Sequence, residues 1–195
     1  YTEGSCEVSL SDYVVGVDLG GTNLRAGVFR PDGEKLERFS TATHIDRGRD
    51  ALMDSIAAGI ARVTEARRGE RLLGVGIGVP GFILLEKGII TKSPNLPGLE
   101  NFAMRDALQA RLGCRVVLEN DANAAALGEQ WMGAGRGVDD LVLLTLGTGI
   151  GGGIISGGKV LHGYLGMAGE LGHITVERRD GVRCGCGNFG CLEAH

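Results

Sequence analysis

The sequence has no apolar run long enough to cross a membrane. Its most apolar stretch, LVLLTLGTGIGGGII at 141–155, is short and broken by glycines, whereas a membrane helix needs roughly 20 apolar residues. It has no basic surplus either. The net charge is −4, no basic stripe offsets it, and nucleic acid is therefore not an expected partner. The mixed-sign run EARRGER at 65–71 reads as the solvated end of a helix. The opening residues, YTEGSCEVSLSD, are polar and acidic and lack the apolar core of a secretory signal. Paired cysteines are missing too. There are five, an odd number, and Cys6 and Cys114 are scattered, which suits a reducing compartment better than a disulfide framework. These absences together give the expectation of a soluble, cytoplasmic protein.

What is abundant is glycine, 35 of 195 residues, against a usual share of about 7%. The glycines follow no collagen period. They cluster in short loops after apolar runs, where phosphate-binding backbones occur. Hydrophobic residues make up 43%, enough for a core. YVVGVDL (13–19) is a strand-length apolar run, NLRAGVFR (23–30) alternates, and the DG at 32–33 turns the chain into EKLERFS: antiparallel strands joined by tight turns. Over 48–67 the period changes, and Leu52, Ile56, Ile60 and Val63 mark an amphipathic helix. LLGVGIGVPG (72–81) reads as a central parallel strand. FILLEKGIITKSPNLPG reads as a hairpin entering a loop, and NFAMRDALQARLG as a helix closed by Gly113. CRVVLEND (114–121) reads as another buried strand and ANAAALGEQWMGAG (122–135) as a helix. LVLLTL and GGGIISGGKVLHG then repeat strand, glycine turn, strand. The repeat predicts two related α/β halves, divided near 113–120 and placed at 1–117 and 118–195.

Several short motifs carry chemistry. DLGGTN (18–23) sets a carboxylate, two glycines and a threonine between two strands. Such a turn brings backbone N–H groups to a phosphate, and the Asp can hold Mg²⁺ through water; alone it could be an ordinary hairpin. LGTGIGGG (146–153) is the matching turn of the second half, with Thr148 and Gly149 placed to hold outer phosphates. It lacks the G-K-[ST] of a Walker loop, and strand rather than helix follows it, unlike a Rossmann fingerprint. Asn120 and Asp121 stand where a strand meets a helix. Asp121 there is either an N-cap or a general base for a substrate hydroxyl. Asn95, in SPNLPG, has the amide that grips sugar hydroxyls, or is a turn residue. Cys184, Cys186 and Cys191 are spaced C-x-C-x4-C. A C-x-C pair is too tight for an easy disulfide, and three thiolates plus one histidine make a closed tetrahedral zinc site. Of four histidines, His173 in GELGH is the best-placed fourth ligand. Redox-active or plain core thiols are the alternatives.

Together VGVDLGGTNLRAGVF, ENDANAAALGE, LTLGTGIGGGII, GELGHI and CGCGNFGCLEA resemble the ROK family of sugar kinases and repressors, from about residue 13 onward. Within that family they are most similar to the bacterial ATP-dependent glucokinases. The resemblance implies an α/β, actin-like (ribonuclease-H-like) ATPase fold, with two domains around a cleft and the second one shortened, since members continue past CLEA. It implies that Asp18, Gly20, Gly21, Thr22 and Asn23 form the first phosphate loop, and Thr148 and Gly149 the second. Asp121 takes the position of the catalytic base. Gly81, Asn95, Asn120, Asp121, Glu170, His173 and Glu193 take sugar-contact positions, and His173, Cys184, Cys186 and Cys191 the zinc positions. The implied activity is transfer of the γ-phosphoryl of ATP, with Mg²⁺, to the 6-hydroxyl of a hexose, glucose first, at the entry to glycolysis. N-acetylmannosamine or fructose is the alternative acceptor. The implied assembly is a homo-oligomer, a dimer or tetramer. Repressors of this family carry a DNA-binding domain before the first loop, and only twelve residues precede Tyr13 here.

Overall fold

The computed structural model of the chain describes residues 8–147 and 149–195. These divide into two compact units. The first runs to Gly81 and resumes over Leu85–Glu119; the second comprises Phe82–Leu84 and Asn120–His195. The chain thus passes from one unit to the other at the end of a strand, two residues after the division expected at 117.

The first unit is built on β1 (Tyr13–Leu19), β2 (Asn23–Phe29), β3 (Lys35–Ala42), α1 (Arg49–Thr64), β4 (Leu72–Val79), then β5 (Phe82–Leu84, counted with the second unit), β6 (Ile89–Lys92), α2 (Met104–Leu112) and β7 (Val116–Asn120). Its sheet has the order β3-β2-β1-β4-β7. β1 is antiparallel to β2 and parallel to β4, so the expected hairpin and the expected central parallel strand are both present. Alternation decides the faces. Val15, Val17 and Leu19 of β1 and Leu24, Ala26 and Val28 of β2 are buried, as are Leu52, Ile56, Ile60 and Val63 of α1, which lies against β2 and β3. Each such valine, leucine or isoleucine contributes about 1.5–3 kcal/mol by leaving water. The same alternation turns Asp18 out of that core. α2 ends at Gly113, whose φ of 64° forms the left-handed cap predicted from the sequence. The one departure in this unit is β7. It lies at the edge of the sheet, and Val117 is 50% exposed, so this strand is covered on one face only.

Part-buried ionic contacts tie the entrance of β1 to that of β4. Asp12 accepts from Arg71 Nε at 3.1 Å and Nη2 at 2.6 Å, and from the Ser9 N–H at 2.8 Å. Arg30 donates to the Ser11 carbonyl at 2.8 Å and pairs with Glu70. The Arg71 hydrogen bonds, and next the Ser9 N–H, hold the Asp12 carboxyl below its usual range. A carboxyl lowered in the folded state stabilises it above the unfolded pKa, about 3.9, and that contribution disappears as pH falls through the lower folded value. Asp12→Asn is therefore expected to lower the melting temperature at neutral pH. It should also flatten the loss of stability in acid below about pH 4. Denaturant titrations of both proteins across that range check this, and parallel pH curves would refute it.

The second unit holds α3 (Asp121–Met132) and an antiparallel sheet of β8 (Leu141–Leu146), β9 (Ile150–Ser156) and β10 (Lys159–Val160). β8 and β9 pair from Leu141↔Ile155 to Leu146↔Ile150, which reproduces the strand, glycine turn, strand of the first unit. The glycines of β9 have a packing reason. A Cβ on Gly153 would stand 2.7 Å from both the Ala122 carbonyl oxygen and the Ala126 Cβ, so α3 rests directly on the strand. Beyond β10, short 3₁₀ turns at Tyr164–Gly166, Leu171–His173 and Leu192–Ala194 carry the chain, joined by the isolated bridges Thr175↔Cys191 and Arg183↔Phe189. Among the described residues no helix is long and apolar enough to cross a membrane.

Candidate functional site

In the first unit the predicted residues gather at the C-terminal ends of β1 and β4. The turn at 20–22 is closed by the Gly20 N–H donating to the Asn23 carbonyl at 2.8 Å. Asp18 and Arg25, directly opposite each other in the β1–β2 ladder, form an exposed ion pair at 3.0 Å. Asn95 is exposed on a loop pinned by the fully buried Leu96 and Leu99. A Cβ on Gly21 would stand 2.8 Å from the Asn95 carbonyl oxygen, so the glycine turn and the Asn95 loop touch backbone to backbone. Gly81 follows Pro80, whose carbonyl accepts from the buried Ser93 hydroxyl at 2.6 Å. The structure therefore brings Gly20, Gly21, Thr22, Asn23 and Asn95 into one neighbourhood, with Gly81 linked through Ser93.

In the second unit backbone geometry assigns the helix cap. Asn120 has extended φ/ψ, and its Oδ1 accepts from the Ala122 and Asn123 N–H groups at 3.0 and 3.1 Å, so Asn120 is the N-cap of α3. Asp121 becomes the first helical residue and is exposed, with Oδ1 accepting from the Ala122 N–H at 2.9 Å. An acid in the first turn also interacts favourably with the helix dipole.

Glu170, His173 and Glu193 join Asp121. Burial first, then the negative charges of Asp121 and Glu193, push the Glu170 carboxyl up, while His173 opposes the rise. His173 works with both ring nitrogens. Nε2 is 3.8 Å from Glu170 Oε2, and Nδ1 is 3.6 Å from Cys184 Sγ. Cys186 and Cys191 have their sulfurs 3.8 Å apart. The four ligand atoms of His173, Cys184, Cys186 and Cys191 all lie within 4.8 Å of one another. Tetrahedral metal–sulfur bonds of about 2.3 Å separate two sulfurs by about 3.8 Å, and sulfur and nitrogen by slightly less; the set fits a tetrahedral ion. With protein groups alone, burial pushes the Cys191 thiol up to about 11, and Cys186 and Cys184 add to the rise. A coordinating cation reverses that preference, because it takes thiolates.

One link was not foreseen from the sequence. Glu193 Oε2 accepts from the Ile150 N–H at 2.8 Å, while Oε1 lies 3.9 Å from Cys184 Sγ. The cysteine-rich loop is thus tied directly to the glycine turn that contains Gly149. Thr148, of the same turn, lies outside the described residues.

A profile of the ROK family matches residues 14–195. The chain belongs to the ROK family. It is 48% identical over 181 residues to a glucokinase of Thermotoga maritima, covering 93% of this chain and 56% of that protein. Among solved structures it is similar to a ROK hexokinase from Thermus thermophilus, with a TM-score of 0.82, 43% identity, and coverage of 93% of this chain and 59% of that one. It is also similar to a ROK family glucokinase from Streptomyces griseus in complex with glucose and AMPPNP, with a TM-score of 0.80, 42% identity, and coverage of 93% and 56%. The chain therefore spans somewhat more than half the length of these ROK relatives. Its fold is that of the ROK sugar kinases, the actin-like ATPase class.

Proposed function

We propose that the chain carries the sugar- and phosphate-handling residues of an ATP-dependent hexose kinase that makes glucose 6-phosphate from glucose. The observation that supports this best is the convergence in the second unit. There the charges of Asp121, His173 and Glu193 all reach the Glu170 carboxyl, and Glu193 holds the backbone of the glycine turn. Acids and an imidazole in that arrangement address several hydroxyls of a sugar, while the adjoining turn offers backbone to a phosphate.

In this reading Asp121 takes the proton of the sugar 6-hydroxyl. That oxygen bonds to the γ-phosphorus of ATP, the bond from the γ-phosphorus to the β–γ bridging oxygen breaks, and ADP leaves in line. Asn120, Glu170, His173 and Glu193 are the sugar-contact residues of the second unit, and Asn95 and the backbone at Gly81 those of the first. The turn at Asp18–Asn23 in the first unit and the turn around Thr148–Gly149 in the second would each offer backbone N–H groups to phosphate. Asp18, exposed beside Arg25, would meet hydrated Mg²⁺ through water, and that ion supplies charge neutralisation for the transferring phosphoryl group. His173, Cys184, Cys186 and Cys191 would hold structural Zn²⁺, which fixes the His173 ring while Nε2 faces Glu170. The same reading makes the protein a cytoplasmic, homo-oligomeric enzyme at the entry to glycolysis.

Steady-state kinetics of the whole protein with ATP and a panel of glucose, N-acetylmannosamine and fructose test the proposal. Glucose is expected to give the highest kcat/KM. No phosphoryl transfer to any sugar would overturn the kinase reading, and preference for another acceptor would overturn its substrate.

A further inference from the structure

Two hydroxyl side chains in the first unit are completely buried, Thr43 and Ser93. Ser93 serves the Pro80 carbonyl, as described. Thr43 belongs to none of the motifs read from the sequence. The β2–β3 ladder ends at the pair Asn23↔Ala42, so the next residue, Thr43, falls beside the first glycine turn. Its Oγ donates to the Gly20 carbonyl at 2.6 Å, and its N–H donates to the Thr22 carbonyl at 2.9 Å. His44 then takes a left-handed conformation with φ 52°, and the strand stops. One residue therefore grips the turn at both ends.

The consequence follows from peptide geometry. In a trans peptide the C=O and the next N–H point in opposite directions. Holding the Gly20 carbonyl on Thr43 turns the Gly21 N–H away from Thr43. Fixing the Thr22 carbonyl fixes the direction of the following N–H in the same manner. Gly21 cannot relax sideways, because the Asn95 backbone lies against it. The branched Cβ of a threonine stiffens χ1 and so holds the hydroxyl's direction. A valine has the same shape but leaves the Gly20 carbonyl without that donor.

We propose that Thr43 is a positioning residue for the first phosphate turn, acting through the Gly20 and Thr22 carbonyls to aim the turn's N–H groups at the nucleotide. This rests on the kinase reading above. The test is calorimetric titration of Mg-ATP and, separately, of glucose into the whole protein and its Thr43→Val, Thr43→Ser and Ser93→Ala variants. Thr43→Val is expected to raise the Kd for Mg-ATP by about 3- to 10-fold, the cost of one lost hydrogen bond. Its Kd for glucose should stay within about twofold, and Thr43→Ser should restore nucleotide affinity. Ser93→Ala removes a hydroxyl equally buried and bonded at the same 2.6 Å, so it should match the valine variant in stability loss while leaving the Mg-ATP constant in place. An unmoved Mg-ATP constant in Thr43→Val, or an equal rise in Ser93→Ala, overturns the proposal. If Thr43→Val fails to fold, Thr43→Ala read against Thr43→Ser decides the same question. Wild-type protein that binds no Mg-ATP overturns the kinase reading and this proposal together, whereas wild-type binding with an unmoved Thr43 variant overturns this proposal alone.

Discussion

Asp121→Asn is expected to lower kcat by about 10²-fold or more, while the affinity for glucose changes little. The substitution removes the proton acceptor and its negative charge, which acts on Glu170 and the helix dipole, while keeping the side chain's shape. Asn keeps a carbonyl oxygen where Asp121 Oδ1 accepts the Ala122 N–H at 2.9 Å. The helix cap belongs to the neighbouring Asn120 and is untouched. A loss of 10² corresponds to about 2.7 kcal/mol of transition-state stabilisation, so a small structural disturbance would not imitate it. Asn120→Ala is the useful contrast. Losing that cap costs about 1 kcal/mol of stability, and sugar binding should weaken together with the melting temperature. Turnover of Asp121→Asn close to wild type, measured at saturating glucose and ATP, would remove Asp121 from the proton transfer.

Much of the fold was legible because it follows local periodicity. The spacing of Leu52, Ile56, Ile60 and Val63 names the buried stripe of α1, and all four are buried. Gly113 announces the end of α2 because a φ of 64° favours a residue without Cβ. Other features depend on contacts that no window along the chain contains. The exposure of Val117 on one face of β7 depends on what packs over the sheet there, whereas its residues VVLEN read as a buried run. The Glu193–Ile150 bond joins residues 43 positions apart, and Thr43 reaches Gly20 across 23. Nothing in the type of Thr43 distinguishes it from Thr41 two positions earlier. Its burial does, and burial appears only once the strands are paired. The division of labour between Asn120 and Asp121 was likewise open from residue type, since both side chains cap helices well. The extended backbone at Asn120 gives the cap to that residue.

Removing the metal expected at the His173, Cys184, Cys186 and Cys191 cluster should cost the protein its grip on sugar. The loop has little else to hold it. Between Ile174 and Cys191 only the two cysteines Cys184 and Cys191 appear among the buried hydrophobic residues, while Ile174, Val176, Val182 and Phe189 are exposed. Such a segment cannot offset the entropy of its own ordering, and a bound ion can. Purified whole protein is therefore expected to contain about one equivalent of zinc, the stoichiometry of a closed four-ligand site. Acidification should release it, because the thiols must be deprotonated to coordinate. Chelation, or Cys191→Ser, should raise the Kd for glucose by about tenfold or more, since His173 and Glu193 lose their fixed positions together and each charged contact is worth about 1.5–3 kcal/mol. The affinity for ATP should also fall, though less, because the Glu193 carboxylate holds the Ile150 N–H beside the second glycine turn. Parallel titrations of glucose and ATP, before and after chelation and again after zinc is restored, measure both effects. Well-folded protein carrying less than about half an equivalent of zinc would refute the site. Zinc loss with unchanged glucose affinity would leave the site standing and refute its function as a clamp. Zinc loss that weakened glucose binding but left ATP binding intact would show that the Glu193–Ile150 contact carries no load between the two sites.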